Sequence, residues 1–219
     1  MKAARVATDN HAAALPAKVE IRERILAAVP DAAVFDAFAG SGEMYRRVWH
    51  RAPGYVGCDT RYFADDRPAF VADNRRVLRA IDLTRYGIFD LDAYGSPWEQ
   101  AIIIAGRRLV QPGERIGMCL TDGSNVGLRL GGISRSLTLL TGMKLGTPGM
   151  GRAIDEMMHS AAAGIAARMR CGIERAWLAR GASNSKMLYL GLVLVGIGSG
   201  GDVGGGARRG EFSPKPAVE

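Results

Sequence analysis

An open α/β domain is the fold these 219 residues predict: a mostly parallel sheet of about seven strands, helices on both faces and a C-terminal β-hairpin. Three observations carry the prediction. Short apolar runs alternate with stretches of helical periodicity between residues 33 and 120. The first run, residues 33–38, passes into Gly40-Ser41-Gly42 and then a helical pattern from Glu43. Strand, glycine turn and helix in that order make the ligand crevice of an open α/β sheet. Two β-rich runs, Ile173–Ala179 and Met187–Val195, then succeed each other with only the turn-like Gly181–Ser185 between them.

Residues 1–14 show no periodicity and are expected to form a flexible arm. Leu15–Val29 reads as a helix with Ile21, Ile25, Ala28 and Val29 on one face and a Glu20–Arg24 pair on another, stopped by Pro30-Asp31. The first strand is Ala33–Phe38, and the helix behind its glycine turn runs from Glu43 to Arg51. Tyr55–Asp59 is a second strand that ends in an acid. Phe70–Ala72 is a short third strand closed by Asp73-Asn74, and Arg75–Ile81 is a helix.

The fourth strand, Ile88–Leu91, runs into a loop and a helix reaching Val110. Ser96 is expected to cap that helix, with Pro97 at its first position and Glu99 completing a capping box. Arg115–Leu120 is the fifth strand. Residues 121–151, rich in glycine and threonine, predict irregular structure with one short helix over the site. Arg152–Arg170 is helical, and its stripe of Ile154, Met158, Ala161, Ile165 and Met169 reads as core. The glycine-rich, basic residues 197–219 are expected to be a disordered tail, which leaves 15–196 as a single domain.

With 29 Lys and Arg against 22 Asp and Glu, the formal net charge of +7 favours an anionic partner such as nucleic acid: tRNA, rRNA or DNA. No apolar run reaches the roughly 18 residues of a membrane span, and the N-terminus lacks a signal-peptide core, so a cytoplasmic protein is expected. Cys58, Cys119 and Cys171 are far apart, and His11, His50 and His159 add no ligand spacing. Buried reduced thiols are expected, with no metal site.

Glycine at 40 and 42 lets backbone approach a ligand that a β-carbon would keep away. Asp59 lies about 20 residues beyond that turn, where an α/β nucleotide site places a carboxylate for the two ribose hydroxyls.

The order of elements resembles the class I S-adenosylmethionine-dependent methyltransferase fold, a Rossmann-like fold, over roughly residues 30–196. The resemblance implies S-adenosylmethionine as cofactor. It makes Asp36, Phe38, Gly40 and Gly42 the cofactor loop and gives Asp59 the ribose. Asp73 would face the adenine amine, with the Asn74 amide nearby for the ring nitrogens.

The loop Phe89-Asp90-Leu91-Asp92-Ala93-Tyr94-Gly95-Ser96-Pro97 resembles the Asp-Pro-(Phe/Tyr)-Gly-Ser-Pro loop of the tRNA guanine-N2 dimethyltransferases. More loosely, it resembles the (Asp/Asn)-Pro-Pro-(Tyr/Phe) loop of adenine and cytosine amino-methyltransferases. The implied catalytic set is Asp92, the Ala93 carbonyl and Tyr94, with Gly95, Ser96, Trp98 and Arg129 on the substrate side. A carboxylate and a carbonyl can accept the two hydrogens of an exocyclic amine, and a tyrosine ring can stack on its base. Ala93 stands where these families usually carry proline, so the carbonyl is present on a less rigid loop. The implied activity is methylation of an exocyclic amine of a nucleic-acid base, guanine N2 or adenine N6. The alternatives are the same fold acting on a protein or small molecule, and a non-catalytic cofactor-binding subunit.

Overall fold

The computed structural model describes residues 14–123, 133–143, 154–181 and 187–198. Nearly all of the arm and of the tail, and Arg129, lie outside the described residues. The described chain forms helix α1 (Leu15–Ala28), strand β1 (Val34–Asp36), helix α2 (Glu43–Arg47), strand β2 (Tyr55–Asp59), strand β3 (Ala69–Val71) and helix α3 (Asn74–Ala80). Strand β4 (Ile88–Leu91), helix α4 (Trp98–Arg107), strand β5 (Arg115–Asp122) and the short helix α5 (Arg135–Thr141) follow. Helix α6 (Ile154–Met169) and the hairpin strands β6 (Cys171–Arg180) and β7 (Leu188–Gly196) complete it.

The seven strands form one sheet in the order β3-β2-β1-β4-β5-β7-β6, with β7 antiparallel to both of its neighbours. The chain steps outward from β1 through β2 to β3, then returns to the other side of β1 with β4. The switch point therefore lies between the carboxyl ends of β1 and β4, where open α/β sheets hold their ligands. Asp36 and Asp90 are register partners at that place.

Helix α1 covers β5, β6 and β7 on one face, and α3, α4, α5 and α6 pack together over the other. Both faces are thus apolar, and β1, β4 and β5 are buried almost throughout. Helix α1 comes unusually close to the sheet because β5 and β7 present glycines to it. A β-carbon on Gly117 would lie 2.4 Å from Ile25 Cγ2, and one on Gly191 2.8 Å from Ile21 Cγ2. Gly117→Ala is expected to cost about 1–3 kcal/mol by overpacking. Urea unfolding measures it, and a change below about 0.5 kcal/mol would contradict this packing.

Several boundaries differ from the sequence expectation. The helix after the glycine turn stops at Arg47, because Val48 leaves helical geometry (φ −130°, ψ −58°) and a 3-10 turn, Trp49–Arg51, carries Trp49 into the core. The Ser96 capping box does not form. Helix α4 starts at Trp98 behind Pro97, no side chain caps it, and Glu99 pairs instead with Arg75 and Arg79 of α3, at 3.3 Å each. Between β2 and β3, residues 60–68 cross over without a helix. The three cysteines are buried free thiols, as expected. No helix among the described residues is long and apolar enough to cross a membrane.

Candidate active site

The glycine turn has the backbone that the sequence requires of it. Gly40 (φ +45°) and Gly42 (φ +83°) both occupy the left-handed region. The turn is less open to a ligand than expected, however. The Gly40 N–H donates to Asp59 Oδ2 at 3.0 Å and the Gly42 N–H to the Ala39 carbonyl at 2.9 Å. Of the three N–H groups of residues 40–42, that of Ser41 finds no acceptor among the described residues. Asp59 also accepts from the Arg61 N–H on Oδ1 at 2.9 Å. Each carboxylate oxygen has two lone pairs, so one remains on each. Phe38 is partly buried beside this turn, packed on the larger core.

Asp73 caps α3, taking the Arg75 N–H on Oδ1 at 2.8 Å and the Arg75 guanidinium on Oδ2 at 2.6 Å. These hydrogen bonds hold its carboxyl below the usual range. Asn74 does not present its amide to a ligand as expected. It donates to the Ala37 carbonyl at 2.7 Å and accepts from Gln100 at 2.9 Å, so it ties α3 to the end of β1 and to α4.

Beneath the switch point lies a buried charge cluster that sequence reasoning did not find. Side chains two apart on a strand share a face, so Asp90 and Asp92 both turn toward α1. Arg22, 1% exposed, grips Asp90 with two bonds, Nε to Oδ2 at 2.7 Å and Nη2 to Oδ1 at 2.6 Å. The Trp49 indole adds a third bond to Asp90 at 2.6 Å. Lys18, one helical turn before Arg22, reaches both Asp92 oxygens at 3.1 Å, and Arg22 lies 3.6 Å from Asp92 Oδ1. Burial alone would raise the Asp92 pKa, but the Arg22 and Lys18 charges overcome it and keep the group below its ordinary value.

Among the described residues Asp36 has no cation beside it. Burial raises its pKa, the Asp90 charge raises it further, and bonds from the Phe38 N–H and the Tyr55 hydroxyl offset only part. The sign for stability follows. A folded-state pKa above the unfolded one means the native state holds the extra proton. Asp36 thus favours folding fully below the ordinary carboxylate range, and this contribution fades as pH rises toward its raised pKa. Asp36→Asn is expected to remove that slope, up to about 1.4 kcal/mol per pH unit. In thermal melts from about pH 4 to 8, wild type should lose ground to the variant as pH rises. Parallel curves would place the extra proton elsewhere.

The loop after β4 leaves the core at Asp92, whose side chain is 16% exposed. Ala93 is buried, and among the described residues its carbonyl accepts no hydrogen bond. Tyr94 stands 67% exposed. Gly95 is exposed, Ser96 is half-buried, and the Gly95 carbonyl takes the Gly123 N–H at 2.7 Å, fastening the loop to the end of β5. Trp98 is not a substrate residue, as its side chain is fully buried in the core and donates its indole N–H to Asp122 at 3.1 Å. It supports the loop from below.

Asp36, the glycine turn, Asp59, Asp73, Asp92, Ala93 and Tyr94 therefore meet along one edge of the sheet, at the carboxyl ends of β1 to β4. Periodicity could not reveal Lys18 and Arg22, because both sit on the apolar face of α1 and their partners lie 74 and 68 residues away. Their i,i+4 spacing on that face was the available signal.

No protein-family model matches the chain, and no curated protein matches its sequence. Among solved structures, Trm1 from Pyrococcus horikoshii, in complex with S-adenosyl-L-methionine, is similar with a TM-score of 0.56 at 15% identity, over 84% of this chain and 55% of that one. The chain thus spans about half the length of that protein. The N-methyltransferase NodS from Bradyrhizobium japonicum WM9, in complex with S-adenosyl-L-homocysteine, gives a TM-score of 0.51 at 8% identity, over 85% of this chain and 88% of that one. With the strand order above, these similarities establish the Rossmann-like class I methyltransferase fold.

Proposed function

We propose that this protein is an S-adenosylmethionine-dependent methyltransferase acting on an exocyclic amine of a nucleic-acid base. The observation that supports this most is the Asp92–Ala93–Tyr94 loop at the switch point. It joins a carboxylate kept ionised by Lys18 and Arg22, a carbonyl that accepts no hydrogen bond among the described residues and an exposed aromatic ring.

The chain's residues fit the cofactor. A β-carbon on Gly40 would find nothing nearer than 3.8 Å, so the turn is open on that side. The two lone pairs left on Asp59 match the two hydroxyls of a ribose. Asp73 Oδ2 keeps one lone pair for an adenine amine, and the Ser41 N–H can meet a carboxylate. When bound, S-adenosylmethionine supplies an electrophilic methyl group on a sulfonium.

An exocyclic amine is a weak nucleophile because its lone pair is delocalised into the ring. Asp92 and the Ala93 carbonyl would each accept one of its hydrogens, favouring the pyramidal nitrogen. Tyr94 would stack on the base and orient it. A paired base would first have to be flipped out of its helix. The basic balance of the chain, +7, suits such a polyanion.

The test is transfer of radiolabelled methyl from the cofactor to pooled tRNA, rRNA, unmodified DNA and, separately, protein and small-molecule extracts. Label in one nucleic-acid pool is the expected result. Label only in protein or small molecules would refute the substrate class, and saturable cofactor binding with label nowhere would favour a binding subunit.

A further inference from the structure

Parallel strands in open sheets are usually joined through a helix. Residues 60–68 join β2 to β3 without one, and a single side chain fills part of the space this leaves beside the glycine turn. The Arg67 side chain is 5% exposed although its segment is polar. Its guanidinium donates Nη1 to the Ala39 carbonyl at 3.1 Å and Nη2 to the Gly40 carbonyl at 2.9 Å. Asp65 holds the fork in place, accepting from Nε at 3.0 Å and from Nη2 at 2.6 Å. The fit against the turn is close, since a β-carbon on Gly42 would lie 2.7 Å from Arg67 Cζ.

Gly40 is therefore held at both ends. Its N–H is bound to Asp59 in front, and its carbonyl to Arg67 behind. Asp59 is the carboxylate read above as the ribose acceptor. Anything that lets the turn relax also lets this carboxylate move.

We propose that Arg67 is a positioning residue for the cofactor site, fixing the glycine turn and, through Gly40, the Asp59 carboxylate. The inference rests on the reading of Asp59 given under the proposed function. The fork's hydrogen bonds go to Asp65 and the two loop carbonyls, and the guanidinium also meets the Tyr55 hydroxyl, so Arg67 acts through the groups around the turn. Lysine cannot replace it fully, because one ammonium lacks the planar fork that spans two carbonyls.

The experiment compares wild type, Arg67→Ala and Arg67→Lys in the full chain, by calorimetric titration with S-adenosylhomocysteine and by amide hydrogen exchange without ligand. Arg67→Ala is expected to weaken binding roughly tenfold or more and to speed exchange at Gly40 by a similar factor, with Arg67→Lys between. The melting temperature should change little, because the clamp lies at one edge of the sheet. Binding and Gly40 exchange within about twofold of wild type in Arg67→Ala would overturn the proposal. If Arg67→Ala fails to fold, Arg67→Lys decides: weakened binding with faster exchange supports the clamp, and wild-type values overturn it. If wild type itself binds no ligand, the cofactor reading fails, and the exchange of ligand-free Gly40 still decides whether Arg67 fixes the turn.

Discussion

Asp92→Asn is expected to lower the rate of methyl transfer roughly 100- to 1,000-fold, the usual effect of losing one preorganised group at a reacting centre. The amide keeps the shape of the carboxylate but not its charge, so it holds the amine's hydrogen far less strongly. Cofactor affinity should stay within about a factor of three, because no group assigned to the cofactor is altered. The variant also leaves Lys18, 4% exposed, without its carboxylate, so some stability is lost as well. Rates at saturating cofactor separate the two effects, since a destabilised but folded fraction retains full activity. A variant with wild-type turnover would remove Asp92 from the chemistry.

The second large effect concerns the fold beneath the site. Arg22→Met is expected to cost about 3–5 kcal/mol, because it strips a fully buried Asp90 of the cation that makes two of its three hydrogen bonds. The double variant Arg22→Met with Asp90→Asn should recover much of that loss. The amide carries no charge to leave uncompensated and can still accept from the Trp49 indole. Urea unfolding of the two single variants, the double variant and wild type closes the cycle. A loss below about 1 kcal/mol in Arg22→Met would mean that Asp90 takes up a proton at little cost, and that the pair does not anchor α1.

These two effects meet at one place in the chain. Arg22 fixes Asp90 within β4, and Lys18 fixes Asp92 as the strand gives way to the loop. Helix α1 thus supplies both cations under the site. This is why a helix before the first strand bears on the chemistry proposed at the end of the fourth.

The backbone frame of the candidate site was legible because it lies in local patterns. Val34-Phe35-Asp36, the glycines at 40 and 42 and the acid at 59 follow one another as strand, turn and strand end, and each signal spans a few residues. That a loop joins β4 to the next helix over residues 92–97 was legible for the same reason. What the local pattern missed depends on distant partners. Arg22 and Lys18 look like ordinary helix cations until β4 is laid against α1. Arg67 reads as one more base in a polar loop until its carbonyls are placed.

Where a local signal was present but misleading, a distant group had won. Glu99 stands at the capping-box position, yet Arg75 and Arg79 take its carboxylate. Trp98 follows the proposed substrate loop directly, yet the core and Asp122 take its ring. Asn74 follows the acid after β3, yet Ala37 and Gln100 take its amide.

The most direct measurement is the identity of the methylated atom. Nucleic acid labelled by the wild-type protein would be digested to nucleosides and resolved by mass spectrometry, beside material treated with Asp92→Asn. A methyl group on an exocyclic amine, guanine N2 or adenine N6, and greatly reduced in the variant, is the predicted result. A methyl group on a ring nitrogen, a ring carbon or a ribose oxygen would contradict it, because none of these needs two hydrogens held by Asp92 and the Ala93 carbonyl.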